Sequence, residues 1–289
     1  MDWPTNSKIW RVEVEPGVRL AVHELGSGRP LLLIPGLGTD HHAFGWNIAA
    51  MAERWRCLAL DQRGIGGSDA TPGPYTMDQL ADDAARVIAE LEPSGAAVLG
   101  VSMGGMVAQH LALRHPQLVT SLVLGCTGPG GHLAVRADPN DTRLLLGGDA
   151  REPGLAYRVA CQVLYQRGWR EGHPEVIEDA VRWRATHPVR AGVFGAQWAA
   201  IRGHDTGARL GRIGAPTLVL HGTGDVVMPP GNGAVLAQRI PGARLEWLPG
   251  RGHMFFQEDP VRTLELLADH LEPTPAGVAP APACLGSEW

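Results

Sequence analysis

Short, wholly apolar runs alternate along the chain with longer amphipathic stretches. Residues 31–34 (LLLI), 57–60 (CLAL) and 96–99 (AAVL) contain no polar side chain, whereas residues 76–92 place apolar positions at helical spacing. A wholly apolar run of this length is typical of a strand that is buried on both faces of a parallel sheet. The alternation therefore predicts an α/β fold, with a mostly parallel sheet of about eight strands and helices on both faces.

Three further local predictions follow from the same pattern. Residues 10–15 and 18–25 flank a Pro-Gly pair and predict a hairpin. A helix is predicted from about Phe44 to Trp55. The helix at 76–92 has an acidic face formed by Asp78, Asp82 and Asp83, and this face is expected to be solvated surface.

The alternation stops between residues 127 and 205, where no strand is convincing. Helices are predicted there at 154–166, 174–186 and 193–201. A helical stretch inserted between strands is expected to lie over the sheet as a cap. The predicted division is a first part of the core at 1–126, a cap at 127–205, a second part of the core at 206–271 and a flexible tail rich in Pro and Ala at 272–289.

One serine stands at a predicted sharp turn between a strand and a helix. The sequence GVSMG at residues 100–104 follows an apolar strand and precedes a helix-forming stretch. Glycines two positions to either side of Ser102 leave room for a strained turn, and such a turn exposes the hydroxyl at a helix N-terminus. The flanking elements favour a nucleophile here over a glycine-rich turn that happens to contain serine.

A serine hydroxyl needs a base to take its proton and an acid to orient that base. Asp225 follows the predicted strand at 217–222, and His253 follows the predicted strand at 244–248. Strand ends of an open α/β sheet meet at one functional edge, so we expect Ser102, Asp225 and His253 to converge. Their order along the chain, Ser then Asp then His, fits this topology.

A nucleophilic serine also needs two backbone donors for the oxyanion that forms on the carbonyl oxygen. One is expected from Met103, directly after the serine, and the other from Leu37, in the turn after the strand at 31–34. Main-chain donation leaves both side chains free to shape an apolar pocket. The substrate-binding candidates are Gly36, His132, Trp198, Met228 and Met254.

Metal and cofactor sites are not expected from this sequence. The adjacent pair His41-His42 lies beside Asp40, but neighbouring histidines rarely point at one ion. Either could instead touch substrate, because both follow the predicted oxyanion loop. Asp61 and Arg63 are expected to brace loops.

Composition and net charge limit the classes of partner that the sequence predicts. The chain has 289 residues, a formal net charge of −5 and 44% hydrophobic residues, which gives no electrostatic reason to expect nucleic acid or anionic membrane. The first ten residues lack an apolar signal-type region, and no apolar run is long enough to span a bilayer. We expect a cytoplasmic protein, a monomer or homodimer, that acts on a small molecule.

These motifs together resemble the α/β-hydrolase superfamily over nearly the whole chain up to about Leu271. The resemblance is closest to 3-oxoadipate enol-lactonases and aclacinomycin-type methylesterases, and it implies a Ser-His-Asp hydrolase without a cofactor. Members often have His before the first glycine of the oxyanion loop, where this chain has Pro35. Epoxide hydrolases and haloalkane dehalogenases are expected to have Asp at position 102, so Ser102 disfavours both.

The sequence therefore predicts a serine hydrolase that cleaves a carboxylic ester or lactone of a small to medium apolar substrate through an acyl-enzyme. Two other classes stay open, because one fold hosts unrelated chemistries. A natural-product cyclase, lyase or carbon–carbon hydrolase would use the same pocket, and full activity without Ser102 would favour it. A ligand receptor with residual hydrolase activity would bind and turn over once, slowly.

Overall fold

The computed structural model describes residues 3–45 and 47–272. Within these residues the strands are β1 Lys8–Glu15, β2 Val18–Leu25, β3 Pro30–Ile34, β4 Arg56–Leu60, β5 Ala96–Val101, β6 Val119–Gly125, β7 Thr217–Gly222 and β8 Arg244–Leu248. The helices are α1 Ile48–Ala52, α2 Met77–Leu91, α3 Met103–Arg114, α4 Pro139–Leu145, α5 Pro153–Leu164, α6 Arg167–Gly172, α7 Pro174–Thr186, α8 Ala191–Arg202, α9 Gly231–Arg239, α10 Phe255–Glu258 and α11 Pro260–Leu271. Of the tail predicted at 272–289, all residues after Glu272 lie outside the described residues.

The strands form one mostly parallel sheet in the order β1-β2-β4-β3-β5-β6-β7-β8. Strand β2 runs antiparallel to both β1 and β4, and the other neighbouring pairs are parallel. The predicted α/β fold with about eight strands is confirmed. Because β3, β5, β7 and β8 all run the same way, the loops that follow them lie at one edge of the sheet.

The apolar runs of the sequence become strands buried on both faces. In β3, Leu32 and Ile34 belong to one apolar cluster with helices α2, α3 and α9. The alternate residues Leu31 and Leu33 belong to a second cluster with helices α1 and α11. Side chains alternate across a strand, so a strand covered by helices on both sides has no face left for polar residues.

The helix predicted from Phe44 to Trp55 is shorter in the structure. The chain first makes a 3₁₀ turn over His41–Phe44, which begins where the Asp40 side chain accepts a hydrogen bond from the N–H of His42. Helix α1 then covers only Ile48–Ala52. It ends early because Trp55 packs into the second apolar cluster, immediately before β4 begins.

The prediction for the acidic face of α2 is wrong at one position. Asp83 is 5% exposed and forms two hydrogen bonds with the guanidinium of Arg63, at 2.9 and 2.6 Å. Arg63 is itself 1% exposed, so the two charges are buried together. A buried charge is tolerated when it is paired in this way. Asp78 and Asp82 do remain at the surface.

Helices α4 to α8 lie between β6 and β7. The chain leaves and rejoins the core at one place, because Gly130 and Asp205 form an antiparallel bridge. Residues 131–204 between them are the helical segment. Two of its helices, α4 and α6, were not predicted, although the Asp138 side chain caps α4 by accepting a hydrogen bond from the N–H of Asn140.

None of the helices in the described ranges is long and apolar enough to cross a membrane.

We predict that His204 makes the fold sensitive to mild acid. Its Nε2–H donates to the carbonyl of Gly128 at 3.0 Å, and its Nδ1 lies 3.1 Å from Nε2 of His110. Burial lowers the pKa of His204 to about 4. The unfolded chain, with a histidine pKa of about 6.5, takes up this proton first, so stability is lost as the pH falls from about 6.5 to about 4.

The loss attributable to this group is expected to reach about 3 kcal/mol at the low end of that range. The measurement is the free energy of unfolding in urea at pH 7 and pH 4.5. His204→Gln keeps a donor for Gly128 and removes the titrating group, so it should flatten the difference between the two pH values. An unchanged difference in that variant would rule out His204 as the cause.

Candidate active site

Ser102 occupies the junction between β5 and α3. Its backbone has φ 55° and ψ −121°, a conformation that residues other than glycine adopt at the expense of strain. Its N–H is held by the carbonyl of Gly125 at 2.9 Å, and the helix begins at the next residue. The hydroxyl is therefore presented at a helix N-terminus, as the sequence predicts.

Close backbone packing explains the glycines on either side of the serine. A Cβ atom at position 100 would collide with the carbonyl oxygen of Gly104, and one at position 104 would collide with that of Ile34. The turn can therefore bring β5, α3 and the end of β3 together only with glycine at both positions. Because only glycine fits at positions 100 and 104, the turn could be predicted from the sequence.

The loops after β5, β7 and β8 bring Ser102, Asp225 and His253 into one hydrogen-bonded chain. Nε2 of His253 lies 3.0 Å from Oγ of Ser102, and Nδ1 of His253 lies 2.8 Å from Oδ2 of Asp225. His253 is 3% exposed and Asp225 is 2% exposed. The chain runs from a hydroxyl through an imidazole to a carboxylate that is shielded from water.

The surroundings of Asp225 keep it ionised. Burial by itself would raise its pKa, but the facing His253 and a hydrogen bond from His221 lower the pKa to about 2. The other carboxylate oxygen accepts from the N–H groups of Val227 and Met228, both at 2.9 Å. Asp225 can therefore accept the Nδ1–H of His253 and fix which ring nitrogen carries the proton. His221, at the end of β7, is a residue of the site that the sequence did not single out.

Two backbone N–H groups beside the serine are free to bind a ligand. Among residues 3–45 and 47–272, no acceptor takes the N–H of Leu37 or of Met103. The turn that holds Leu37 lies against the serine, since a Cβ atom at Gly36 would be 3.3 Å from Cβ of Ser102. These are the two positions at which the sequence predicts oxyanion donors.

A cavity of about 570 Å³ opens above Ser102 and His253. Its wall is mostly apolar and comes from the loops of the sheet edge together with the helical segment. Four of the five predicted substrate-binding residues line it, and they are Gly36, Trp198, Met228 and Met254. Among the described residues the wall also includes two arginine side chains, Arg151 and Arg184, and no acidic side chain.

His132, the fifth predicted substrate-binding residue, is exposed and does not line this cavity. It lies in a 3₁₀ turn over Gly131–Leu133. Gly130 and Gly131 both have positive φ, and the N–H of Gly131 is bonded to the carbonyl of His204. This hydrogen-bonded turn directs the chain away from the cavity. The two glycines before His132 were the sequence feature that could have predicted the turn.

His41 and His42 do not line the cavity either. Asp61, at the end of β4, accepts from Nδ1 of His41 at 2.8 Å and lies 3.2 Å from Nε2 of His23. Burial alone would raise the pKa of Asp61, but the hydrogen bonds from the two histidines hold it well below its usual range. These three side chains have the donor atoms of a metal site, and here they bond to one another and to the N–H of Gly67.

Two residues of the helical segment that the sequence did not single out contact the turn that holds Leu37. Oε1 of Gln197, in α8, accepts from the N–H of Gly38 at 2.8 Å. The guanidinium of Arg184, in α7, donates to the carbonyl of Gly38. A glutamine in the middle of the apolar stretch at 193–201 was the available signal, because an isolated buried amide needs a specific partner.

Known proteins resemble this chain over nearly its full length. It is 32% identical to a protein of Caulobacter segnis whose name proposes it as the carbamate hydrolase RutD, over 85% of this chain and 92% of that protein. It is 30% identical to the pimeloyl-[acyl-carrier protein] methyl ester esterase of Chromobacterium violaceum, over 89% of this chain and 99% of the relative. The solved enol-lactonase of Burkholderia xenovorans has a TM-score of 0.77 and 26% identity, with 91% of this chain and 99% of that one covered.

The sequence pattern of the alpha/beta hydrolase fold family matches residues 29–260, from the start of the parallel strands to the start of α11. That range includes Ser102, Asp225 and His253. The chain belongs to the alpha/beta hydrolase fold family.

Proposed function

We propose that this hydrolase cleaves a carboxylic ester or lactone through a covalent acyl-enzyme on Ser102. The observation that supports this most directly is the continuous hydrogen-bonded chain from Ser102 through His253 to Asp225. Its serine end opens into an apolar cavity, beside two backbone N–H groups that have no acceptor in the described part of the chain. In this proposal the helical segment at 131–204 acts as a cap over the cavity.

The first half of the reaction forms the acyl-enzyme. Nε2 of His253 takes the hydroxyl proton as Oγ of Ser102 attacks the carbonyl carbon. The charge on the carbonyl oxygen is bound by the N–H groups of Leu37 and Met103. His253 becomes cationic, and the ionised Asp225 stabilises that charge. The protonated imidazole then gives its proton to the leaving alcohol oxygen as the ester bond breaks.

The second half releases the acid. A water molecule takes the place of the leaving alcohol and loses its proton to Nε2 of His253 as it attacks the acyl carbon. The same two N–H groups bind the second oxyanion. Oγ of Ser102 leaves and recovers its proton from His253, so the enzyme returns to its starting state. This cycle needs no metal or cofactor.

The cavity favours a small to medium substrate that is largely apolar. A volume of about 570 Å³ is in the range of pockets that enclose drug-sized molecules. Similarity to a methyl ester esterase and to an enol-lactonase supports an acyl–oxygen bond as the bond that is cleaved. Similarity to the Caulobacter segnis protein favours carbamates as a second candidate class, since the same serine chemistry would cleave them.

The test is a fluorophosphonate probe followed by mapping of the labelled peptide. The proposal expects label on Ser102 and loss of labelling in His253→Gln. In parallel, a panel of esters, lactones, thioesters and carbamates is assayed with the native protein. A folded protein that turns over any of these substrates while Ser102 stays unlabelled would refute the acyl-enzyme. Binding followed by a single slow turnover would indicate a receptor instead.

We predict that the cavity prefers esters whose acyl chain carries a carboxylate. Arg151 belongs to the wall, and in the described part of the chain no acidic side chain pairs with it. Its neighbour Glu152 is engaged elsewhere, because that carboxylate accepts from the N–H groups of Gly154 and Leu155. An anionic acyl terminus would find an available guanidinium there.

The measurement compares kcat/KM for the monomethyl and dimethyl esters of one dicarboxylic acid. Arg151→Gln is expected to lower the value for the monomethyl ester about threefold to fivefold and to leave the dimethyl ester unchanged, because an exposed charge pair contributes about 1 kcal/mol or less. The matched control is Arg158→Gln, which removes a cation that pairs with Glu178 outside the cavity wall. An equal loss on both esters would contradict the prediction.

A further inference from the structure

The turn over residues 35–39 provides one of the two backbone donors, and Thr39 closes it by donating its N–H and its Oγ1–H to the carbonyl of Gly36, at 3.3 and 2.9 Å. Pro35 brings no N–H and no polar side chain, and Gly36 and Gly38 bring no side chain at all. Gly38 has φ +59°, a left-handed conformation that glycine adopts easily and leaves easily. The Leu37 N–H shares a peptide with the carbonyl of Gly36, so its direction depends on where Gly38 places Thr39, and contacts from outside the turn hold Gly38.

Both polar groups of Gly38 are bonded to the helical segment. Its N–H donates to Oε1 of Gln197 in α8 at 2.8 Å, and its carbonyl accepts from the guanidinium of Arg184 in α7. A third contact is apolar, because the ring of Phe194 lies 3.1 Å from the position that a Cβ atom on Gly38 would take. Helices α7 and α8 thus hold this residue from three sides.

Gln197 is placed for this contact. It is fully buried within a helix whose other residues are mostly apolar, and the described residues offer no partner for its Nε2. Burying an amide whose N–H₂ group is unpaired costs free energy. The presence of Gln197 here therefore points to a role for the hydrogen bond that its Oε1 does make. The hydrogen bond that it does make goes to the residue next to Leu37.

Arg184 has no acidic partner among the described residues. Its guanidinium lies over the ring of Tyr157, with 5.2 Å to the ring centroid, so the packing of α5 against α7 fixes its direction. From that position it donates to Gly38. Helix α8 therefore contributes an acceptor to Gly38, and helix α7 contributes a donor.

We propose that Gln197 and Arg184 are positioning residues that orient the Leu37 N–H by holding Gly38, so that turnover requires α7 and α8 to be seated on the core. This inference rests on the acyl-enzyme function proposed above. It assigns the helical segment a part in oxyanion binding in addition to enclosing the substrate.

The experiment compares two substitutions of Gln197 with one control, and adds Arg184→Lys and Arg184→Met. Gln197→Met removes the acceptor at similar size, and Gln197→Glu keeps an acceptor oxygen in the same place. Tyr165→Phe is the matched control, because it removes a buried hydroxyl that bonds Gln257 in the core and Tyr157 in α5, without touching the turn. Each variant is assayed for kcat and KM on one p-nitrophenyl ester, for Tm, and for the rate at which a fluorophosphonate labels Ser102.

Gln197→Met is expected to lower kcat and the labelling rate about 10- to 100-fold while KM changes less than about twofold, because a misplaced donor loses most of its effect on the transition state. Gln197→Glu should recover the larger part of kcat. Tyr165→Phe should lower Tm by as much as Gln197→Met and keep kcat. Arg184→Lys, which keeps a donor, should retain more activity than Arg184→Met.

Three outcomes overturn the inference. In the first, Gln197→Met and Tyr165→Phe lose the same Tm and neither loses kcat. In the second, Gln197→Met raises KM at unchanged kcat, which would make Gln197 a substrate contact. Failure of the underlying function is visible separately, because Ser102 of the native protein would then resist the fluorophosphonate. Equal labelling of the native protein and of Gln197→Met would defeat the positioning role alone.

Discussion

Replacing Ser102 by alanine is expected to lower kcat for an ester substrate by about three to six orders of magnitude. The change removes the atom on which the proposed acyl-enzyme forms, and within residues 3–45 and 47–272 no other hydroxyl is bonded to Nε2 of His253. The residual rate would come from the two backbone donors and from substrate positioning. The measurement is steady-state release of p-nitrophenol, with the concentration of folded protein fixed by circular dichroism.

The conservative control for this variant is Ser102→Cys, which retains a nucleophile at the same strained position. It should label with a thiol reagent and form an acyl-enzyme that deacylates slowly. Full activity of Ser102→Ala would remove the serine from the mechanism. It would favour the cyclase, lyase or carbon–carbon hydrolase alternatives, in which the same pocket acts without a nucleophilic serine.

Asp225→Asn is the second change with a very large expected effect, about four orders of magnitude in kcat. An asparagine amide can donate to Nδ1 of His253, which moves the ring proton to Nε2. That nitrogen can then no longer accept the proton of Ser102. The fold should persist, because the asparagine oxygen can still accept from the N–H groups of Val227 and Met228.

The measurement for Asp225→Asn is kcat together with Tm, so that loss of activity can be separated from unfolding. Asn232→Asp is not a suitable control, since the Asn232 side chain accepts from the N–H of Val135 and donates to its carbonyl, and an aspartate could not donate. A better control is Asp205→Asn, at the base of the helical segment and outside the hydrogen-bonded chain. Retention of more than about a tenth of the native kcat in Asp225→Asn would show that another group orients His253.

The sheet and the convergence of Ser102, Asp225 and His253 at one edge could be predicted because each depends on local sequence. A strand buried on both faces must be wholly apolar, and the sharp turn at Ser102 tolerates only glycine at positions 100 and 104. The topology then forces the ends of parallel strands to one edge. In each case a few neighbouring residues carry the whole constraint.

The wall of the cavity could not be predicted in the same way. Whether Trp198 or His132 reaches the cavity depends on how five helices pack, and helix packing is set by many weak contacts distant in sequence. Asp83 and Gln197 show the same limit, because a polar residue in a helix is expected at the surface until its buried partner is known. Their partners, Arg63 and Gly38, are 20 and 159 positions away.

The bridge between Gly130 and Asp205 suggests how new selectivities arise in this architecture. A segment that leaves and rejoins the core at a single point can be exchanged as one unit between related enzymes. Here such an exchange would remove the side chains bonded to Gly38 along with the part of the cavity wall that the helical segment contributes. A chimera would keep its turnover rate only if the incoming segment brought its own hydrogen bonds to Gly38. Substrate specificity and turnover rate would therefore change together.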